Sequence, residues 1–166
     1  MSAVVVDTNV AIVANDVVLP PNDEGRRPLD CIEACIDALS AITKGSDHLV
    51  LDELGFIFEE YRRCLSFAGQ PGPGDVFMKW VHERQWDPAR CTRVEITPDD
   101  GRVFVEFPDS PDLTGFHNDD RKFVAVAAAH PDHPVILQAV DWKWRDWADA
   151  LAKEGLAVRF LCSRGA

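Results

Sequence analysis

The sequence predicts one three-layer α/β domain over residues 1–166, with a short parallel sheet of about five strands and helices on both faces. Three observations carry that expectation. Short β-branched runs alternate with stretches of helical periodicity along the whole chain. Breaker-rich loops separate them, and no repeat or composition shift marks a second domain. The 166 residues, 46% of them hydrophobic, suffice to bury a core without cross-links or structural metal.

Ala3 to Val6 is a continuous β-branched run, the pattern of a strand covered on both sides. Thr8 and Asn9 are read as capping a short helix over Val10 to Val18. Pro20 to Pro28 is a polar loop. From Leu29 to about Thr43, Cys31, Ile32, Cys35, Ile36, Leu39 and Ile42 recur at helical spacing, and Gly45 stands where a helix terminates. His48 to Leu51 reads as a second strand and Phe56 to Phe67 as a helix. A loop over Gly69 to Gly74 carries two prolines and lacks the residues of a phosphate cradle. Asp75 is read as capping a helix that runs to about Trp86, and Thr92 to Thr97 as extended. Gly101 to His117 is the least legible stretch, because Pro108, Pro111 and Gly115 interrupt any pattern. Asp119 to His130 reads as an Ala-rich helix, Val135 to Val140 as a buried strand ending at Asp141, Trp144 to Lys153 as a helix stopped by Gly155, and Leu156 to Leu161 as a final strand.

A net charge of −11 argues against unassisted binding of nucleic acid, whose affinity is largely electrostatic. The objection weakens where carboxylates hold divalent ions, which invert the local sign. Five scattered cysteines with neither a CxxC pair nor zinc-ligand spacing predict free thiols in a reducing cytoplasm. The first residues have no basic stretch before an apolar core, so no signal peptide is expected, and no apolar run is long enough to span a membrane.

Asp7 and Asp141 share a context: each is expected to leave the carboxyl end of a buried strand just before a helix. Acids so placed line the crevice of an open parallel sheet at the point where strand order reverses. Helix capping is the competing use of either one.

Val4-Val5-Val6-Asp7-Thr8-Asn9-Val10 resembles the opening of PIN-domain nucleases, where a hydrophobic strand ends in Asp-Thr-Asn or Asp-Thr-Ser. The resemblance spans essentially the whole chain. Glu59-Glu60-Tyr61-Arg62-Arg63 resembles the family's middle helix, with Glu60 preferred as the second acid and Glu53 and Glu59 as alternatives. Asp119-Asp120-Arg121-Lys122-Phe123 resembles the start of its Ala-rich helix, with Asp120 as the third acid and Asp119 as the alternative. Val135 to Asp141 resembles the strand that delivers the fourth. Many members carry a further Asp two or three residues on; Lys143 and Trp144 stand there in this chain, and Asp146 lies nearby.

The resemblance implies a PIN-like sheet and a Mg²⁺- or Mn²⁺-dependent endoribonuclease with Asp7, Glu60, Asp120 and Asp141 as metal ligands. Hard oxygen ligands suit these ions, which activate water and stabilise a leaving oxygen without a Ser, Cys or His nucleophile. Thr8 and Asn9 are expected to orient the first carboxylate. Arg121, Lys122 and Trp142 are the candidates for substrate contact. Many single-domain members of this size are toxins of toxin–antitoxin pairs, which implies an antitoxin partner and a homodimer. A catalytically weakened binding module is the rival reading. A phosphatase is disfavoured, because Asp7-Thr8-Asn9 lacks the second Asp of a DxD motif. Trp144 and Trp147 are expected to pack, His130 to Pro134 to form a turn, and Arg62 and Arg63 to pair at the surface.

Overall fold

A computed structural model describes residues 1–163. In chain order the elements are β1 (Ser2–Val6), α1 (Thr8–Ala14), α2 (Leu29–Thr43), β2 (Asp47–Asp52), α3 (Phe56–Cys64), α4 (Pro73–Arg84) and β3 (Cys91–Val94). They continue with a two-strand hairpin, β4 (Pro98–Asp99) and β5 (Val103–Phe104), then α5 (Arg121–Ala129), β6 (Val135–Gln138), α6 (Lys143–Lys153) and β7 (Val158–Phe160). The main sheet is parallel throughout and runs β3-β2-β1-β6-β7. This is the α/β class expected, with five strands in the main sheet.

Val4, Val5 and Val6 are all buried, so both faces of β1 are covered. The chain moves outward from β1 through β2 to β3, then returns to the other side of β1 for β6 and β7. Right-handed crossovers therefore put α1 to α4 on one face and α5 and α6 on the other. In keeping with this, α1, α2 and α4 pack together, while α5 lies across β1, β2 and β6. The reversal of strand order falls between β1 and β6, which makes their carboxyl ends the switch point.

Several boundaries differ from expectation. The first helix begins at Thr8 and gives way to a 3₁₀ turn over Asn15–Val18. Asp7, not Thr8 or Asn9, is its cap, accepting from the Asn9 N–H at 3.0 Å. Asp75 sits inside the first turn of α4, and its carboxylate accepts from the Gly72 and Ser66 N–H groups. The β6 strand ends at Gln138, so Asp141 follows a bend instead of leaving the strand directly. The Gly69 to Gly74 loop has a packing role: a Cβ on Gly74 would meet the Ala11 carbonyl at 2.0 Å.

The expectation of five free thiols is corrected. Cys31 and Cys162 form a disulfide across 131 positions of sequence, with Cα atoms 4.8 Å apart, while Cys35, Cys64 and Cys91 are free. The start of α2 and the chain just past β7 meet in space, a proximity that cysteine spacing along the sequence does not express. Among the described residues no helix is long and apolar enough to cross a membrane.

Candidate active site

Each expected acid is delivered by a different element. Asp7 follows β1 at the switch point and is 5% exposed. Glu60 lies on α3, whose orientation is set by Asp52 at the end of β2. The buried Asp52 carboxylate accepts from Phe56 N–H at 2.8 Å and Ile57 N–H at 2.9 Å, capping the helix. Gly55 supplies the left-handed turn before it, at φ 85°. The next residue after Glu60 locks the same helix inward: the Tyr61 hydroxyl donates to the Val6 carbonyl at 2.5 Å. Asp120 closes a short 3₁₀ turn at the start of α5, and Asp141 lies in the bend between β6 and α6.

Asp7 lies within electrostatic reach of Glu60 and Asp120, and Asp120 within reach of Glu60 and Asp141. Burial pushes the Asp7 carboxyl up to about 7, and the negative charges of Asp120 and Glu60 push in the same direction. The Asn9 N–H bond opposes that rise. Asp120 is also raised, first by burial and then by the charge of Asp141, with His117 and Lys122 opposing. Of the alternatives for the second acid, Glu53 is exposed and Glu59 pairs with Arg62 at the surface, so neither turns inward. Asp119 is exposed and offers its carbonyl to Lys122; Asp146 is exposed on the rim of a cavity with Asp120.

The carboxylates are nevertheless not drawn into a tight cage. Among the described residues, the set of three or more potential ligand atoms lying within 4.8 Å of one another consists of Cys31, Cys35 and Cys162, with none of the acids in it. Glu60 is engaged on both oxygens, by the Thr8 hydroxyl and by the Lys122 ammonium at 2.7 Å. Like charges in a partly buried pocket repel, and a cation is what lets them approach. Lys122 supplies part of that compensation from within the chain.

Thr8 and Asn9 both hold the site together. Thr8 is buried and donates to Glu60. The Asn9 side-chain oxygen accepts from Ala139 N–H at 3.0 Å, tying the end of β1 to the bend that carries Asp141. Gln138 is fully buried beside Asp7, and its Nε2 has no acceptor within bonding range, so its effect on Asp7 is that of a nearby dipole.

Of the residues expected to contact substrate, Arg121 is elsewhere. It is 5% exposed, and its guanidinium donates to the carbonyls of Phe116, Arg102 and Thr114 at 3.1, 3.2 and 2.9 Å while lying over the Phe107 ring. It fastens the hairpin region to α5, with one N–H of each guanidinium nitrogen donated to a backbone carbonyl. Lys122 borders a cavity of about 350 Å³ with Phe56, Phe104, Val103 and Arg63, and the acids Glu59 and Asp119 also line it. Phe56 is 37% exposed, its ring 5.3 Å from that of Phe104, and Val103 is held at φ 73°, a costly conformation for a β-branched residue. A second cavity, of about 260 Å³, opens at Asp120 and His117. Trp142 is half-buried with the Arg145 guanidinium over its ring.

Asp52, Gln138, His117 and the Phe56–Phe104 pair were not indicated by the sequence. Asp52 alone carried a signal, since it too follows a buried strand and precedes a helix. No protein-family model, curated protein or solved structure matches this chain.

Proposed function

We propose that the acidic centre is a divalent-metal-dependent phosphodiesterase acting on RNA, with Asp7, Glu60, Asp120 and Asp141 holding Mg²⁺ or Mn²⁺ in the manner of PIN-domain nucleases. The observation that supports the reading is the electrostatic coupling of Asp7 with Glu60 and Asp120, and of Asp120 with Asp141, near the switch point, with burial lifting the Asp7 carboxyl to about 7. When bound, such ions supply a water of lowered pKa and charge stabilisation for the leaving oxygen. Asp7 must shed its proton to serve as a ligand, so metal affinity and cleavage rise with pH through about 7. Thr8 orients Glu60, and Asn9 fixes the distance between the end of β1 and the bend that carries Asp141. Lys122 exchanges Glu60 for a substrate phosphate, and the Phe56–Phe104 wall of the larger cavity receives a base by stacking. The toxin–antitoxin setting, with its protein partner and homodimer, follows from the PIN resemblance and is part of this proposal.

The second reading, a metal-free binding module, draws on one observation: the Lys122–Glu60 pair satisfies the second acid without an ion. Titration with Mn²⁺ separates them. The nuclease gains thermal stability with metal, cleaves single-stranded RNA, and loses both in Asp7→Asn. Absence of metal-induced stabilisation, or cleavage unchanged in Asp7→Asn, refutes the enzymatic reading.

A further inference from the structure

Away from the acids, a second cluster of ligand-bearing side chains lies inside the fold. Cys31 and Cys35 stand four residues apart on α2 and so project from one face of the helix. Cys162, just past β7, meets them, and the three sulfurs all lie within 4.8 Å of one another. All three residues are buried, at 2%, 0% and 3% exposure. A disulfide needs two of these sulfurs and apolar packing needs none of them to converge. Two cations border the cluster. Burial pushes the Cys35 thiol up to about 12 in the absence of metal; Arg27, paired with Asp16 at 3.1 Å, opposes that rise. The Arg145 guanidinium donates to the Cys162 carbonyl at 3.2 Å, and its buried Nε has no hydrogen-bond partner.

We propose that, once the Cys31–Cys162 bond is reduced, Cys31, Cys35 and Cys162 form a site for one thiophilic d¹⁰ cation, Zn²⁺ or Cu⁺. Soft thiolates select these ions, whereas the hard oxygens of the acidic centre do not favour Cu⁺. Three sulfurs complete a trigonal Cu⁺ site. Zinc takes a fourth ligand from water. The arginines offset the negative charge that three thiolates leave after binding either ion. Occupancy and the disulfide exclude each other, because one sulfur pair cannot serve both. Reduction delivers two electrons and two protons to the Cys31–Cys162 bond from an added phosphine and water, the phosphine ending as its oxide. The entering cation then displaces the three thiol protons.

The test uses the full chain in three forms: reduced, oxidised, and reduced Cys35→Ser. Each is incubated without oxygen with Zn²⁺ alone or Cu⁺ alone and desalted, and bound metal is read by elemental analysis and native mass spectrometry. Cys35→Ser keeps the Cys31–Cys162 pair, so its oxidised form reports on folding through its thermal transition. The reduced chain is expected to retain one equivalent of at least one ion and to shield three of its five cysteines from alkylation. Affinity falls by about tenfold or more in Cys35→Ser and in the oxidised chain. The reduced Asp7→Asn chain, run alongside, removes any contribution from the acidic centre. Retention by the reduced chain no greater than by Cys35→Ser, or retention lost in Asp7→Asn alone, overturns the proposal.

Discussion

Replacing Asp7 by Asn should stabilise the metal-free protein, and do so increasingly as pH rises. The ordinary carboxyl value is 3.8, and burial lifts that of Asp7 to about 7. Above about pH 4 the unfolded chain gives up this proton while the folded one keeps it, so the unfolded state binds fewer protons and stability falls with rising pH. The loss is complete once the pH passes the folded value near 7. At about 1.36 kcal/mol per pH unit the full cost is roughly 4 kcal/mol, of which about 2–3 kcal/mol develops between pH 5 and pH 8. The substituted amide would keep an oxygen for the Asn9 N–H and carry no charge, so it escapes this cost. Urea unfolding of both proteins at pH 5 and pH 8 in the presence of a chelator measures the difference directly. Comparing the two proteins cancels the parallel titration of Asp120, apart from the coupling between the two acids. At pH 8, Mn²⁺ at about a hundred times its Kd should return roughly 2.7 kcal/mol to the wild type and little to Asp7→Asn. A stability gap between the two proteins that is equal at pH 5 and pH 8 would mean Asp7 ionises as an exposed carboxyl, and the account of the pocket would fail.

Three further outcomes follow from the same structure. Lys122→Met frees Glu60 and should tighten Mn²⁺ binding about fivefold by calorimetry, while lowering metal-free stability by about 1–2 kcal/mol through loss of the ion pair. Arg121→Met leaves three carbonyls without their donor and should cost about 3–5 kcal/mol, seen as a fall of roughly 10 °C in Tm; a drop under about 1 kcal/mol would show the tether to be dispensable. Gly74→Ala drives a methyl into the Ala11 carbonyl and should cost at least about 3 kcal/mol in denaturant unfolding.

The sheet was legible because its strands are buried on both faces, and a β-branched run such as Val4 to Val6 announces that condition locally. Asp7 was legible for the same reason. The preference for Glu60 over Glu59 rested on resemblance; that Glu60 meets Thr8 and Lys122 while Glu59 pairs with Arg62 depends on how Asp52 and Tyr61 orient the helix, which no window of sequence around Glu60 displays. Residues 101–117 resisted reading because they are not held by periodicity. The strand within them, β5, is two residues long, and buried rings and the Arg121 guanidinium do the holding. Arg121 itself misled, since a basic residue at the start of a helix beside an acid reads as a phosphate contact until its partners are seen. The cysteine cluster depends on contacts across 131 positions, beyond the reach of spacing rules.

By joining Arg102, Thr114 and Phe116 to the residue that follows Asp120, Arg121 makes the hairpin wall and the third acid move as one piece. Ligand-holding groups and cavity shape are thereby assigned to separate stretches of chain that share a single anchor. Changes in Val103 and Phe104 would remodel what fits against Phe56, whereas a change in hairpin length would reach Asp120 through the same anchor. Side-chain variation on that wall leaves the tether intact, whereas loss of one guanidinium would release the hairpin and the start of α5 together.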